Sequence, residues 1–205
     1  DFHDTRKRYQ KLLADVAEDP MGMAAQVAEE VEWLKSVQEQ ACRLTDLYKA
    51  GQLPLRVTHN DTKINNVLFQ PNGNQAIVVI GLVGHDFGDA IRFAANYVEE
   101  DSPEAEKAGV DMEVFRAFTQ GFLKHTAATL TQQEVDTLAL SCFALTCELA
   151  TRFLDDYILG SPYFKIQYPE HNLVRARCQI ALAKDMLQKL DEMDAVVHQC
   201  MEQYR

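Results

Sequence analysis

The chain has 205 residues, 47% of them apolar and 25% charged, which is enough to bury one sizeable core. Its formal net charge of −11 argues against a nucleic-acid-binding face, which needs a basic surface. No apolar run reaches membrane-spanning length and Asp1-Phe2-His3-Asp4 is not a secretory signal, so the expectation is a cytoplasmic protein without a membrane partner.

In chain order, the spacing predicts a first helix over Thr5–Asp19, with Tyr9, Leu12, Leu13 and Val16 on one face and Pro20 ending it. A second helix is predicted from Met23 to Ala50, where Val27, Val31, Leu34, Ala41, Leu44, Leu47 and Tyr48 recur at helical spacing; Gly51 is the stop. The β-rich stretch follows, at Leu55–Thr58, Val67–Phe69 and Ala76–Ile80. Its last two strands are joined by Gln70-Pro71-Asn72-Gly73-Asn74, a turn with a proline and an Asn-Gly pair. Beyond Asp89 the pattern is helical almost throughout. Helices are expected over Ala90–Tyr97 and Asp111–His125, separated by a solvated acidic loop at Glu99–Glu106. Thr131-Gln132-Gln133-Glu134 is a capping box that opens a long apolar helix to about Leu159. Gly160-Ser161-Pro162 ends that helix, and Asn172 is expected to cap the last one, which runs towards Tyr204. Cys42, Cys142, Cys147, Cys178 and Cys200 form no C-x-x-C pair and read as reduced, small apolar core residues.

Between the first two predicted strands the chain reads His59-Asn60-Asp61-Thr62-Lys63-Ile64-Asn65-Asn66. An H-x-D-x-x-x-x-N loop running into a strand is the catalytic loop of kinase-like phosphotransferases. Phosphoryl transfer needs a carboxylate beside the attacking hydroxyl and an amide oxygen on the magnesium that bridges the phosphates. Asp61 is therefore the expected general base or hydroxyl-orienting group, and Asn66 the expected magnesium ligand. His59 is expected to brace the loop by hydrogen bonding, and Lys63 either approaches the γ-phosphate or is a solvated surface lysine. A few short strands carrying this loop, followed by a helical bundle, define an α+β fold that is mostly α. That arrangement matches the C-terminal lobe of a protein-kinase-like fold, with residues 1–205 forming that one lobe. The strand-rich lobe that would hold ATP, with its Gly-rich loop and strand lysine, is not among these residues.

On those residues the chain resembles the aminoglycoside phosphotransferase and choline kinase superfamily, and within it the bacterial N-acetylhexosamine 1-kinases. The resemblance is carried by Leu53-Pro54-Leu55-Arg56-Val57-Thr58-His59-Asn60-Asp61-Thr62-Lys63-Ile64-Asn65-Asn66-Val67-Leu68 and by Asp86-Phe87-Gly88-Asp89-Ala90-Ile91-Arg92-Phe93-Ala94-Ala95-Asn96. It implies ATP as co-substrate, Mg2+ as cofactor, and transfer of the γ-phosphate to the anomeric hydroxyl of a small N-acetylhexosamine acceptor. One departure stands out. In the family the strand after the hairpin ends in Val-Ile-Asp-x-Asp, whose first carboxylate holds magnesium, and a short loop follows. Here Ile77-Val78-Val79-Ile80 leads directly to Gly81-Leu82-Val83-Gly84. Either an active-site loop belongs here that this sequence does not carry, or the loop has been lost and the protein is a pseudokinase. The first is favoured because Asp61, Asn66 and the sequence after Gly81 keep the pattern.

The Asp86-Phe87-Gly88 triplet lies beyond the strand end where a metal carboxylate belongs. Asp86 is expected instead to accept backbone N–H bonds and brace the catalytic loop, with Asp89 near a helix N-terminus, where the dipole favours a carboxylate. The resemblance places sugar contacts in the region of Arg152 and Tyr163, an arginine to clamp hydroxyls and a tyrosine to stack on a sugar face. The plainer alternative is an Arg152–Asp155 or Arg152–Asp156 surface pair and a core tyrosine. Arg92, Asn96 and His125 read as structural polar residues and Trp33 as a packing residue. The expected function is an ATP- and magnesium-dependent sugar 1-kinase. The alternatives are a choline or aminoglycoside kinase, and a non-catalytic pseudokinase or interaction module.

Overall fold

The computed structural model describes residues 3–60 and 79–204, and they are mostly helical. Helix α1 (Thr5–Glu18) starts at Asp4, whose side chain accepts the Lys7 amide, and ends at Asp19 in a left-handed conformation before Pro20. Tyr9 and Leu12 are buried, and Leu13 and Val16 pack against the core.

The long second helix of the sequence reading is three pieces. A 3₁₀ turn (Ala24–Val27) leads into α2 (Ala28–Ala41), and after Cys42 the chain resumes as α3 (Arg43–Lys49). Arg6 spans the break, with its guanidinium on Asp46 at 3.0 and 2.6 Å and on Glu39 at 3.3 Å, tying α1 to both pieces. Gly51, at φ 72°, turns the chain away.

Strands β1 (Arg56–Thr58) and β2 (Val79–Gly81) pair antiparallel, with Arg56 opposite Gly81, Val57 opposite Ile80 and Thr58 opposite Val79. Ile80 and Gly81 are thus consecutive residues of one strand. The predicted strand Val67–Phe69 and its turn lie outside the described residues.

Helix α4 (Val83–Ala94) begins well before the expected Ala90. Gly84 and Gly88 weaken the local helical signal, but they let α4 lie close against the helix beneath it. A Cβ at Gly88 would sit 2.5 Å from the Ser141 carbonyl oxygen. Because the obstacle is backbone, Gly88→Ala is expected to cost about 1–3 kcal/mol, read from chemical denaturation. A neutral result would mean that the two helices can separate without loss.

Helix α5 (Met112–Thr126) is capped by Asp111, which accepts from the amides of Glu113 and Val114. The capping box at Thr131 opens a single turn, α6 (Gln132–Val135), rather than the whole long helix. The Thr137 hydroxyl bonds back to the carbonyls of Gln133 and Glu134, which competes with the helical ladder there. The central helix α7 (Leu138–Ile158) then runs to the Gly160–Ser161 turn.

Helix α8 (His171–Gln188) has Asn172 inside its first turn and not as its cap. The Asn172 amide is fully buried and donates to Asp156 at 2.9 Å and Ser161 at 3.1 Å, so tertiary partners outweigh the local capping role. After Lys189, whose ammonium binds Asp185 and the Val110 carbonyl, α9 (Leu190–Glu202) completes the chain.

Helix α7 is buried on nearly every side, as a central core helix should be. Helices α1, α2, α4 and α8 surround it, and α5 packs against α9. Phe87 of α4 meets the rings of Phe115 and Phe122 edge-on at 6.1 and 5.1 Å, a favoured arrangement for aromatic pairs. All five cysteines are buried and unbridged. Among the described residues no helix is long and apolar enough to cross a membrane.

Candidate functional site

The sequence-predicted residues divide into two groups. Asp61, Lys63 and Asn66 lie outside the described residues. His59, Asp86, Arg152 and Tyr163 are described, and they surround the chain that leads into Asp61.

Asp86 stands in the first turn of α4. One of its carboxylate oxygens accepts the His59 amide at 2.7 Å and the other the Asn60 amide at 2.6 Å. Burial pushes the Asp86 carboxyl up and these two amides pull it down; burial prevails. His59 takes part through its backbone, while its ring Nδ1 is buried with no hydrogen-bond partner among the described residues. Phe87 is fully buried in the core and Gly88 lies inside the helix, so the triplet is a helix start. Asp89, within the body of α4 and not at its N-terminus, pairs with Arg92 at 2.7 Å. Arg92 is itself buried and also binds Glu100 at 2.6 Å.

Asn60 adopts φ 60°, a left-handed conformation uncommon for a residue other than glycine. Its side-chain oxygen accepts from the Thr58 hydroxyl at 3.0 Å. The same side chain lies against Gly81, where a Cβ would stand 2.1 Å from Asn60 Oδ1. Gly81 also bears on magnesium. The resemblance calls for a metal-binding carboxylate after Ile80, and the residue there is Gly81, which has no side chain to supply one. No cluster of three or more His, Cys, Asp or Glu among the described residues could hold a metal ion.

Behind Asn60 is a buried polar cluster that the sequence reading did not single out. His3 reaches Glu148 of α7 through Nδ1 at 2.8 Å and the Asn60 carbonyl through Nε2 at 3.2 Å. The Thr5 hydroxyl donates to the other Glu148 oxygen at 2.7 Å. Glu148 is the one acid in the apolar stretch Leu138–Phe153, and an isolated carboxylate on a core helix is a signal of a buried polar partner.

A cavity of about 400 Å³ opens beside Asn60. Arg152 of α7 lines it, with its guanidinium 5.3 Å from the Phe164 ring centre and 5.9 Å from that of Tyr163. Burial, and then the charge of Arg8, lower the Arg152 pKa. Tyr163 is 69% exposed, so it is not a core tyrosine. Its loop is held by Asp156, which accepts the amides of Tyr163 and Phe164 at 2.9 Å each, together with the Asn172 amide. Asp155 binds Lys11 at 2.5 Å. Asp156 and Asn172 hold the Tyr163 loop, a role different from the Arg152 pairing and the helix cap expected of them. Asn96 and His125 stand apart from it: Asn96 accepts the Gly109 amide, and His125 is exposed near the end of α5. Trp33 packs against the core beneath the Lys184 ammonium.

The buried pair also sets a pH window. Burial alone would lower His3, yet Glu148 and the Asn60 carbonyl raise it above its ordinary 6.5. Burial would raise Glu148, yet His3 and Thr5 hold it below its ordinary 4.5. The His3 contribution to stability is fully present below pH 6.5 and lost as pH rises through the raised value. The Glu148 contribution is present above pH 4.5 and lost as pH falls through the lowered value. The neighbouring His85, pushed down to about 4 by burial and by His3, works against folding as pH drops below 6.5. Taking the difference between wild type and His3→Gln removes most of that background. The difference in melting temperature is expected to be largest from pH 4.5 to 6.5 and to shrink above it. A difference that grows with alkaline pH would contradict this assignment.

Comparison with models of known protein families finds no match for this chain.

Proposed function

We propose that the protein is a small-molecule phosphotransferase of the kinase-like type, with ATP and magnesium as the donor system and the anomeric hydroxyl of an N-acetylhexosamine as acceptor. The observation that carries this is the double grip of the Asp86 carboxylate on the His59 and Asn60 amides, directly before Asp61. It occurs at the edge of a cleft lined by Arg152 and Tyr163. In this reading Asp61 orients and deprotonates the acceptor hydroxyl, Arg152 donates to sugar oxygens, and Tyr163 offers its exposed ring as a stacking face. Asn66 and Lys63 serve the phosphates.

The cleft's charges bear on the choice of acceptor. Arg92, Arg152, Lys165 and Arg175 line it, against the carboxylates of Asp89 and Glu100. Such a cleft repels choline and aminoglycosides and tolerates a neutral sugar. The test is an acceptor panel with ATP and magnesium. Turnover of N-acetylglucosamine or N-acetylgalactosamine is expected to exceed that of choline or kanamycin by at least tenfold; the reverse order would overturn the sugar assignment.

A second reading, a ligand-binding protein without phosphoryl transfer, is favoured by Gly81, which follows Ile80 where the resemblance calls for a metal carboxylate. Binding of the sugar by calorimetry, with no ADP formed at any magnesium concentration, would select it.

A further inference from the structure

We infer that His3, as an imidazolium, is a positioning residue that grips the Asn60 carbonyl and so holds the turn from which Asp61 is presented; the inference rests on the phosphotransferase reading above. The argument begins with donors and acceptors. His3 Nδ1 faces Glu148 Oε1 at 2.8 Å and Nε2 faces the Asn60 carbonyl oxygen at 3.2 Å. A carbonyl and an ionised carboxylate only accept hydrogen bonds, and a neutral imidazole has a single N–H to donate. Both contacts are hydrogen bonds at once only when the ring carries two protons. The Thr5 hydroxyl donates to the second Glu148 oxygen, which leaves that carboxylate well supplied as an anion. Burial opposes charge on both partners, yet His3 is raised and Glu148 lowered.

The grip matters because of what it holds. The Asn60 amide is bound by Asp86 and its carbonyl by His3, so the residue before Asp61 is fixed at both ends in its left-handed conformation. The three holding groups come from separate elements: His3 precedes α1, Asp86 opens α4, and Glu148 lies in α7. Other charged and titratable groups stand around His3 among the described residues. The His85 ring of α4 lies 4.6 Å away and is kept neutral. Asp89 of α4 attracts the imidazolium. Asp4 and Lys49 form a pair along a neighbouring cavity of about 340 Å³, and Arg152 lines the main cleft with His3.

When the ring loses its second proton, one contact has to be given up. Glu148, whose side chain is 2% exposed, retains the remaining N–H, since an unpaired buried carboxylate is the costlier outcome. The Asn60 carbonyl is then released and the turn before Asp61 loosens. Acceptor contacts through Arg152 and Tyr163 are untouched, so the effect falls on kcat and leaves KM for the acceptor unchanged.

The test is a side-chain ¹⁵N NMR titration of the protein, with His3 assigned by its absence in His3→Gln, read alongside the His59 and Asn60 amide resonances. Both His3 nitrogens are expected to carry protons at pH 6. The midpoint is expected above 6.5, with the Asn60 amide shifting at that same midpoint. His3→Gln is expected to remove the Asn60 transition, lower kcat on the order of tenfold, and abolish the matching alkaline fall in the rate profile. Glu148→Gln keeps the shape of the site and serves if His3→Gln unfolds; it is expected to move the His3 midpoint below 6.5. A neutral His3 ring at pH 6, or an Asn60 amide that ignores the His3 midpoint, overturns the clamp even if sugar phosphorylation is intact. Coupled midpoints in a protein that transfers no phosphate to any acceptor would sink the phosphotransferase reading while leaving the clamp on Asn60 standing.

Discussion

Replacing Asp61 with Asn is expected to lower kcat for sugar phosphorylation by about 10²–10⁴-fold while leaving the melting temperature unchanged. The substitution keeps the size and shape of the side chain and removes its ability to take a proton. The approach to this residue is held by groups on other elements. Asp86 binds the amides of His59 and Asn60, and His3 reaches the Asn60 carbonyl. Acceptor binding through Arg152 and Tyr163 should persist, so KM for N-acetylglucosamine is expected to change little. A variant that keeps turnover within a few-fold of wild type would remove Asp61 from the chemistry and leave the non-catalytic reading ahead. A variant that loses the activity together with its fold would show that Asp61 is a structural acceptor. The melting curve separates these cases.

Much of the helical framework was legible because its signals are local. The α1 stripe of Tyr9 and Leu12, the Asp111 cap and the Thr131–Glu134 box each lie within a few residues of the element they define. The errors share a different cause. Helix α4 starts early because Gly84 and Gly88 answer to the proximity of Ser141, more than fifty positions away along the chain. Asn172 is drawn from capping to Asp156 and Ser161. The long helices break where the residue at the break has its side chain anchored on a distant element, as Lys189 has on the Val110 carbonyl, or where a threonine competes with the ladder, as Thr137 does. The candidate site follows the same division. Asp61 and Asn66 are expected from a pattern and lie outside the described residues, and Asp86 is placed as a brace from the same pattern; the His3–Glu148 pair joins residues whose proximity no short window contains. The isolated acid in α7 was the available clue, and its partner was not.

The second large effect concerns Asp86, and it separates two roles that the triplet Asp86-Phe87-Gly88 leaves open. Asp86→Asn is expected to destabilise the protein by about 2–3 kcal/mol, since each charge-assisted bond contributes roughly 1.5–3 kcal/mol and a buried amide left unmatched costs a further 1–3. The asparagine offers one acceptor oxygen where the carboxylate offered two, and its NH₂ would face a backbone N–H donor. Part of the loss is recovered, because burial already disfavours the charged form of Asp86 and the neutral side chain removes that cost. The net loss corresponds to a fall in melting temperature of roughly 5–10 °C for a chain of this size. Turnover should fall as well, measured well below the melting transition, because the residues before Asp61 lose their anchor. The magnesium concentration giving half-maximal rate should not move. If the melting temperature is unchanged and magnesium-dependent turnover vanishes, Asp86 is a metal ligand, and the hydrogen bonds to His59 and Asn60 are incidental to its function.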